Sequence, residues 1–124
     1  MTTWFLLIFG GSLGTLFRYG LGGLVQQFFG TRFPFGTLVV NVAGCFLIGL
    51  FFSLSESRGA LSPGSRLLLM TGFCGAFTTF STFMLETDNL LRGGEYGLMF
   101  LNLAGSLFAG FLLFRAGMFL GGRL

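Results

Sequence analysis

The sequence predicts an all-α membrane protein with four transmembrane helices, and two observations lead to this fold class. Hydrophobic residues make up 53% of the 124 residues and charged residues only 9%, whereas a soluble domain carries about 25% charged residues. Charged residues also divide the chain into apolar stretches of about 20 residues, the length of a helix that crosses a bilayer core. We therefore expect one domain over residues 1–124, located in the cell membrane as a multi-pass protein.

Each span is predicted from an apolar stretch, and short polar or turn-forming segments separate the spans. The first span contains Arg18 in its interior. The second connection includes Pro63-Gly64, a pair that favours a turn. No segment outside the spans is long enough for a soluble domain, so we expect function within or between the spans. The spans are predicted at residues 3–26, 35–55, 66–87 and 96–119.

The few charged and reactive side chains exclude several classes of function. The chain has no histidine, which excludes metallohydrolases and histidine-based acid–base chemistry. Its seven basic residues are all arginines and form no cluster, so no nucleic-acid partner is predicted. Cys45 and Cys74 lie in apolar runs without the spacing of a zinc site, and we expect packed thiols. No enzyme activity is predicted.

The arginines are distributed almost evenly between the two predicted sides of the membrane. Four lie on the side of the termini and two or three on the other, and such a bias is what orients membrane helices. Insertion in both orientations fits this count, and so does a single topology with a modest bias. The arginines are Arg58, Arg66, Arg115 and Arg123 on one side, and Arg32, Arg92 and the intermediate Arg18 on the other.

Small residues at helical spacing predict that the spans pack closely. Gly10 and Gly14 form a GxxxG pattern, and close backbone approach drives helix association in lipid. Because four short helices form a bundle too thin to enclose a pore, we expect a dimer with its function at the interface.

Arg18 and Asn41 are the polar residues that are most costly to place within the spans. A guanidinium in a membrane interior needs a partner or nearby water. Arg18 therefore attracts an anion, anchors the structure, or extends its side chain to the membrane surface. The Asn41 amide offers both donors and an acceptor, which fits either an ion ligand or an interhelical hydrogen bond.

The third span carries the densest polar pattern, GFCGAFTTFSTF. Glycine and threonine together favour a local break that frees backbone carbonyls, and such carbonyls suit a hard cation. Phe80 and Phe83 share a helix face, and Thr79, Thr82 and Glu86 lie on an adjoining arc. Because ring edges are electropositive, this side favours a small anion, although the two phenylalanines also fit a packing role.

The segment TTFSTF at residues 78–83 resembles the CrcB/Fluc fluoride channel family. The same family is matched by GTLVVN at residues 36–41, by Arg18-Tyr19 after a GxxG pattern, and by Gly105-Ser106 in span four. The resemblance covers nearly the whole chain. It implies a constitutively open, fluoride-selective channel that lets fluoride leave the cell by passive electrodiffusion. It also implies an antiparallel dual-topology homodimer in the bilayer, with two pores and a structural sodium ion that is not transported.

The resemblance also implies roles for individual residues. Asn41 becomes the pore amide, and the ring edges of Phe80 and Phe83 face fluoride. Gly75 and Thr78 supply backbone carbonyls to the sodium ion on the two-fold axis, at a break in the third helix. The other residues assigned to the fluoride pathway are Arg18, Thr37, Thr79, Ser81, Thr82 and Glu86, and Asn102 is a candidate without a settled family role.

Two other classes of protein compete with a channel. A proton-coupled multidrug exporter with four helices needs a membrane-embedded carboxylate in its first span, and residues 1–26 contain no Asp or Glu. A packing subunit of a larger complex has no reason to combine TTFSTF with Asn41 and Arg18. Fluoride efflux from liposomes separates the three classes.

Overall fold

The computed structural model describes residues 1–124 and consists entirely of helices and short connections. Four helical stretches are long and apolar enough to cross a membrane. The predicted all-α fold with four spans is confirmed, and the third span is interrupted at residues 78 and 79, as expected. The helices are α1 (Thr2–Phe29), α2 (Phe35–Arg58), α3 (residues 63–77), α4 (Phe80–Arg92) and α5 (Tyr96–Arg123).

Most helices extend beyond the predicted spans because charged and polar residues lie inside their last turns. Arg58, Arg92 and Arg123 each occupy a final helical turn, where the partial negative charge of the helix end favours a cation. Gly30 and Gly59 then end α1 and α2 with φ angles of 80° and 56°, a backbone region that glycine adopts without steric cost. A prediction based on uncharged stretches therefore underestimates helix length.

Helices α2 and α5 form the most extensive helix pair, and glycines bring their backbones together. Gly49 lies against the backbone of Phe114, and Gly117 lies against the backbone of Phe46. A Cβ atom at either glycine would overlap the facing carbonyl oxygen. Close backbone approach of this kind replaces the hydrophobic effect as the source of helix association in lipid.

The predicted GxxxG pattern forms the contact between α1 and α3. Gly10 and Gly14 are both buried, and a Cβ atom at either position would overlap the backbone of Leu68 or Phe73. The facing residues of α3, Leu67–Cys74, form a π-helical segment. The prediction that these glycines mark a packing face is confirmed.

Apolar side chains cover the outside of the bundle. Only six hydrophobic residues are buried, whereas Phe5, Leu16 and Phe111 are each at least 65% exposed. A soluble monomer rarely exposes apolar surface on this scale. The outer surface is therefore one that faces lipid or another protein chain.

Candidate functional site

The candidate site is built around the break between α3 and α4. Thr78 (φ −91°, ψ 157°) and Thr79 (φ −148°, ψ 119°) have extended backbones. The break places the carboxyl end of α3 beside the amino end of α4, so partial charges of opposite sign meet there. Two adjacent extended threonines are favourable for this geometry, since β-branched side chains prefer extended backbone to helix.

Asn41 of α2 holds the break in place. Its amide nitrogen donates to the Thr79 carbonyl oxygen at 3.1 Å, and its amide oxygen accepts from the Thr79 backbone N–H at 2.8 Å. The interhelical hydrogen bond considered for Asn41 is thus present. Its NH₂ group has a second hydrogen, so an additional acceptor is compatible with this geometry, and the pore role stays a prediction.

The break removes helical donors from the last carbonyls of α3, including those of Gly75 and Thr78. In an α-helix the carbonyl of residue i accepts from the N–H of residue i+4. The Thr79 N–H that would serve Gly75 donates to Asn41 instead. The Thr82 N–H that would serve Thr78 donates to the Thr79 hydroxyl at 3.2 Å. The two residues predicted to offer carbonyls to a cation are therefore among those that lose their helical donors at the break.

Arg18 supplies a donor for the Ala76 carbonyl, one of the two that lie between Gly75 and Thr78. Its Nε donates to the Ala76 carbonyl oxygen at 3.0 Å, which ties α1 to the last turn of α3. The guanidinium is half-buried and borders a cavity of about 600 Å³. The structural-anchor role considered for Arg18 is present, and attraction of an anion stays a prediction.

This cavity, called the polar cavity below, lies between α1, α2 and α4. Its polar lining explains how Arg18 is accommodated, because a partly hydrated space lowers the cost of a charge within a membrane. One carboxylate oxygen of Glu86 is buried there without a hydrogen-bond partner. The predicted site residues that border the polar cavity are Arg18, Thr37, Thr79, Thr82 and Glu86.

A second, more apolar cavity of about 280 Å³ lies on the other side of the break and is called the aromatic pocket below. The rings of Phe80 and Phe83 meet there edge to face, with centroids 6.1 Å apart and planes at 66°. Phe80 is 72% exposed in the single chain, whereas Phe83 is only 7% exposed. The predicted site residues that border the aromatic pocket are Asn41, Gly75, Thr78, Thr79, Phe80 and Phe83.

The structure thus divides the predicted residues between two cavities that share Thr79. Ser81 is the exception, since it is exposed and borders neither cavity. Gln26 and Gln27 border the polar cavity although the sequence-based prediction omitted them. The sequence contains a feature that distinguishes them, because they are the only two adjacent amide side chains in the chain and they end an apolar span.

The two cysteines both border the aromatic pocket and differ in burial. Cys74 is buried at 2% exposure, as expected of a packed thiol. Cys45 is only partly buried. Both thiols are free.

Comparison with known proteins identifies relatives over the whole chain. A family model described as CrcB-like protein, Camphor Resistance (CrcB), matches residues 5–118. A Thermus thermophilus protein is 52% identical over 124 residues, which covers 100% of this chain and 98% of the relative. A Desulforapulum autotrophicum protein is 54% identical over 113 residues, with 90% and 89% of the two chains covered. A Maridesulfovibrio salexigens protein is 46% identical over 112 residues, again with 90% and 89% covered.

All three relatives are named fluoride-specific ion channel FluC. The family model covers more than half of the chain, and the helices that it spans include all four apolar stretches. The chain is a multi-pass membrane protein that belongs to the CrcB-like family.

Proposed function

We propose that this protein is a fluoride-selective channel that lets fluoride leave the cell by passive electrodiffusion. The observation that carries the proposal is its 52% identity, over the full chain, to a relative named fluoride-specific ion channel. Passive flow fits the chain's composition, because the first span has no acidic residue that would couple transport to protons.

The chemistry of the aromatic pocket supports a small anion. The edges of Phe80 and Phe83 carry partial positive charge, and the second amide hydrogen of Asn41 is available as a donor. No arginine borders this pocket. A site that attracts an anion without a full positive charge releases it readily, and conduction requires both entry and exit.

The proposed assembly is an antiparallel homodimer with two pores. Phe80 is a large apolar side chain that borders the aromatic pocket, yet it is 72% exposed in the single chain. A second copy packed on α4 would cover it. The near-even distribution of arginines favours a pair of opposite orientation. Each pore would then use the aromatic pocket of one chain and the outer face of its partner.

A structural sodium ion at the two-fold axis is the third part of the proposal. The Gly75 and Thr78 carbonyls, whose helical donors are diverted, are hard oxygen ligands. Gly75 is exposed at the surface of the chain, where a second copy would bring an identical set. A bound cation there would stabilise the carboxyl end of α3, whose partial charge is negative.

Replacing sodium with a bulky organic cation is expected to weaken the dimer and stop fluoride flux. A ligand present at a hundredfold its dissociation constant stabilises a complex by about 2.7 kcal/mol, which is lost when the ligand is removed. The measurement compares thermal dissociation of the purified dimer, and its flux in liposomes, in sodium and in N-methylglucamine at equal ionic strength. Potassium serves as the control for ion size. Equal stability and flux in all three media would contradict a sodium site.

Purified wild-type protein in liposomes is expected to release fluoride rapidly and retain chloride. Phe80→Ile and Phe83→Ile are each expected to slow fluoride release by roughly tenfold or more, because an aliphatic side chain has no electropositive edge. Fluoride-selective and chloride-selective electrodes measure the release of each ion from the liposomes once the membrane potential that opposes anion efflux has been dissipated. Phe9→Ile, a similarly exposed phenylalanine on α1, is the matched control and should keep its flux.

Two outcomes would count against the proposal, and they differ in meaning. If the wild-type protein releases no fluoride, or releases chloride equally fast, the proposed function is wrong. If the wild type conducts and both isoleucine variants conduct normally, the channel function stands and the aromatic contact is wrong.

A further inference from the structure

Helix α4 is attached to the rest of the chain at few points. It has 13 residues and carries both Phe80 and Phe83. The break at Thr78 and Thr79 separates it from α3, so the orientation of α3 does not fix the rotation of α4 about its own axis. Its amino end is tied to α2 through Asn41. A second attachment is needed to set its rotation.

A series of hydrogen bonds between α4 and α5 provides that second attachment. The Asn102 amide nitrogen on α5 donates to the Thr87 hydroxyl at 2.9 Å. The Thr87 hydroxyl donates in turn to the Phe83 carbonyl oxygen at 2.7 Å. The Ser106 hydroxyl donates to the Asn102 amide oxygen at 3.4 Å, which favours the amide orientation that presents its donors to Thr87.

Asn102 and Thr87 are among the best buried polar residues in the protein. Asn102 is 1% exposed and Thr87 is 8% exposed. Packing alone does not require them, because an apolar pair of similar size would fill the same space. A buried polar pair adds directionality, since its atoms meet in only one arrangement of the two helices. A slip by one residue would rotate α4 by about 100° and break the pair.

We propose that Asn102 and Thr87 are positioning residues that hold α4 in the rotation which places the Phe83 ring in the aromatic pocket. The chain of hydrogen bonds ends on the backbone carbonyl of Phe83 itself, and the Phe83 side chain is 7% exposed. Neither polar residue borders the pocket, so both act through Phe83 rather than on the ion. The inference rests on the proposed channel function.

The test separates the rate of each channel from the number of channels that assemble. Protein is reconstituted at a dilution of less than one channel per liposome. The fraction of liposomes that release fluoride then counts assembled channels, and the time constant of release gives the rate per channel. A merely structural role changes the first quantity and leaves the second unchanged.

Asn102→Leu and Thr87→Val are expected to lower the rate per channel by roughly three- to twentyfold, the ratio equivalent to one interhelical hydrogen bond in a membrane protein. Asn102→Leu removes the bond between the two helices, whereas the Thr87 hydroxyl keeps its hydrogen bond to the Phe83 carbonyl oxygen. Thr87→Ser retains the hydroxyl and should restore most of the rate. Thr15→Val, at an exposed threonine of α1 outside both cavities, is the matched control and should keep the wild-type rate.

Each outcome decides the inference. A wild-type rate per channel in both Asn102→Leu and Thr87→Val would overturn it, whatever the fraction of active liposomes. If neither single variant assembles, the double variant leaves no buried amide unpaired and is measured in the same way. A wild-type rate in the double variant would also overturn the inference. Loss of fluoride release in the wild type would instead point to a failure of the proposed function.

Discussion

Asn41→Asp is expected to reduce fluoride flux by roughly a hundredfold or more, the ratio that corresponds to the cost of a charge at the centre of a membrane helix. In the structure both ends of the Asn41 amide pair with the Thr79 backbone, one as donor and one as acceptor. An aspartate offers only acceptors. One carboxylate oxygen would therefore face the Thr79 carbonyl, and its negative charge would repel fluoride in the aromatic pocket.

The measurement is fluoride release from liposomes at neutral pH, together with the elution volume of the purified dimer. Asn89→Asp makes the same change at an exposed position of α4, beside Arg92, and should keep its flux. An Asn41→Asp variant that conducts like the wild type would contradict any role of this amide in the pathway or in holding the break.

Forcing the chain into one orientation is expected to abolish activity, and pairing it with an oppositely forced copy should restore activity. The loop after α2 contains Ala60 and Leu61. Replacing both with lysine would bias this end towards the cytoplasm, because basic residues in short loops set the orientation of membrane helices. Two lysines inserted beside Gly94, in the loop at the opposite end, would bias a second copy the other way.

Growth of fluoride-sensitive cells on fluoride tests each biased copy alone and then both together. An antiparallel dimer predicts no resistance from either copy alone and resistance from the pair. Expression of each copy in the membrane is confirmed by an epitope tag at the same terminus. Full resistance from a single, strongly biased copy would refute the antiparallel arrangement, because a parallel dimer needs only one orientation.

The break in the third span shows how far composition leads at the site. Glycines and threonines between residues 72 and 83 predict that the helix is interrupted and that carbonyls become free. The structure has that break at Thr78 and Thr79. Composition does not indicate which donors are diverted, because the Asn41 contact joins positions 38 residues apart.

Ser81 and Asn102 show the opposite limit. Ser81 lies within the conspicuous run of hydroxyl residues, yet it borders neither cavity. Asn102 had no settled role from the sequence, yet it is one of the best buried side chains and reaches Phe83 through Thr87. A residue's place in a motif does not reveal which way its side chain points on a helix whose rotation is unknown.

The sequence by itself determined the number and approximate limits of the spans and the glycine face between α1 and α3. Bilayer thickness imposes a helix length, and charged residues are costly within it, so span limits are readable from the chain alone. The rotation of each helix was decided only by the tertiary structure. Transmembrane helices are apolar over most of their surface, and this chain has 19 phenylalanines and 22 glycines spread along it. Because no continuous polar face marks the exterior of each helix, the sequence does not show how the helices are rotated. Only packing brings Asn41 into hydrogen-bond contact with Thr79, Arg18 with Ala76 and Asn102 with Thr87.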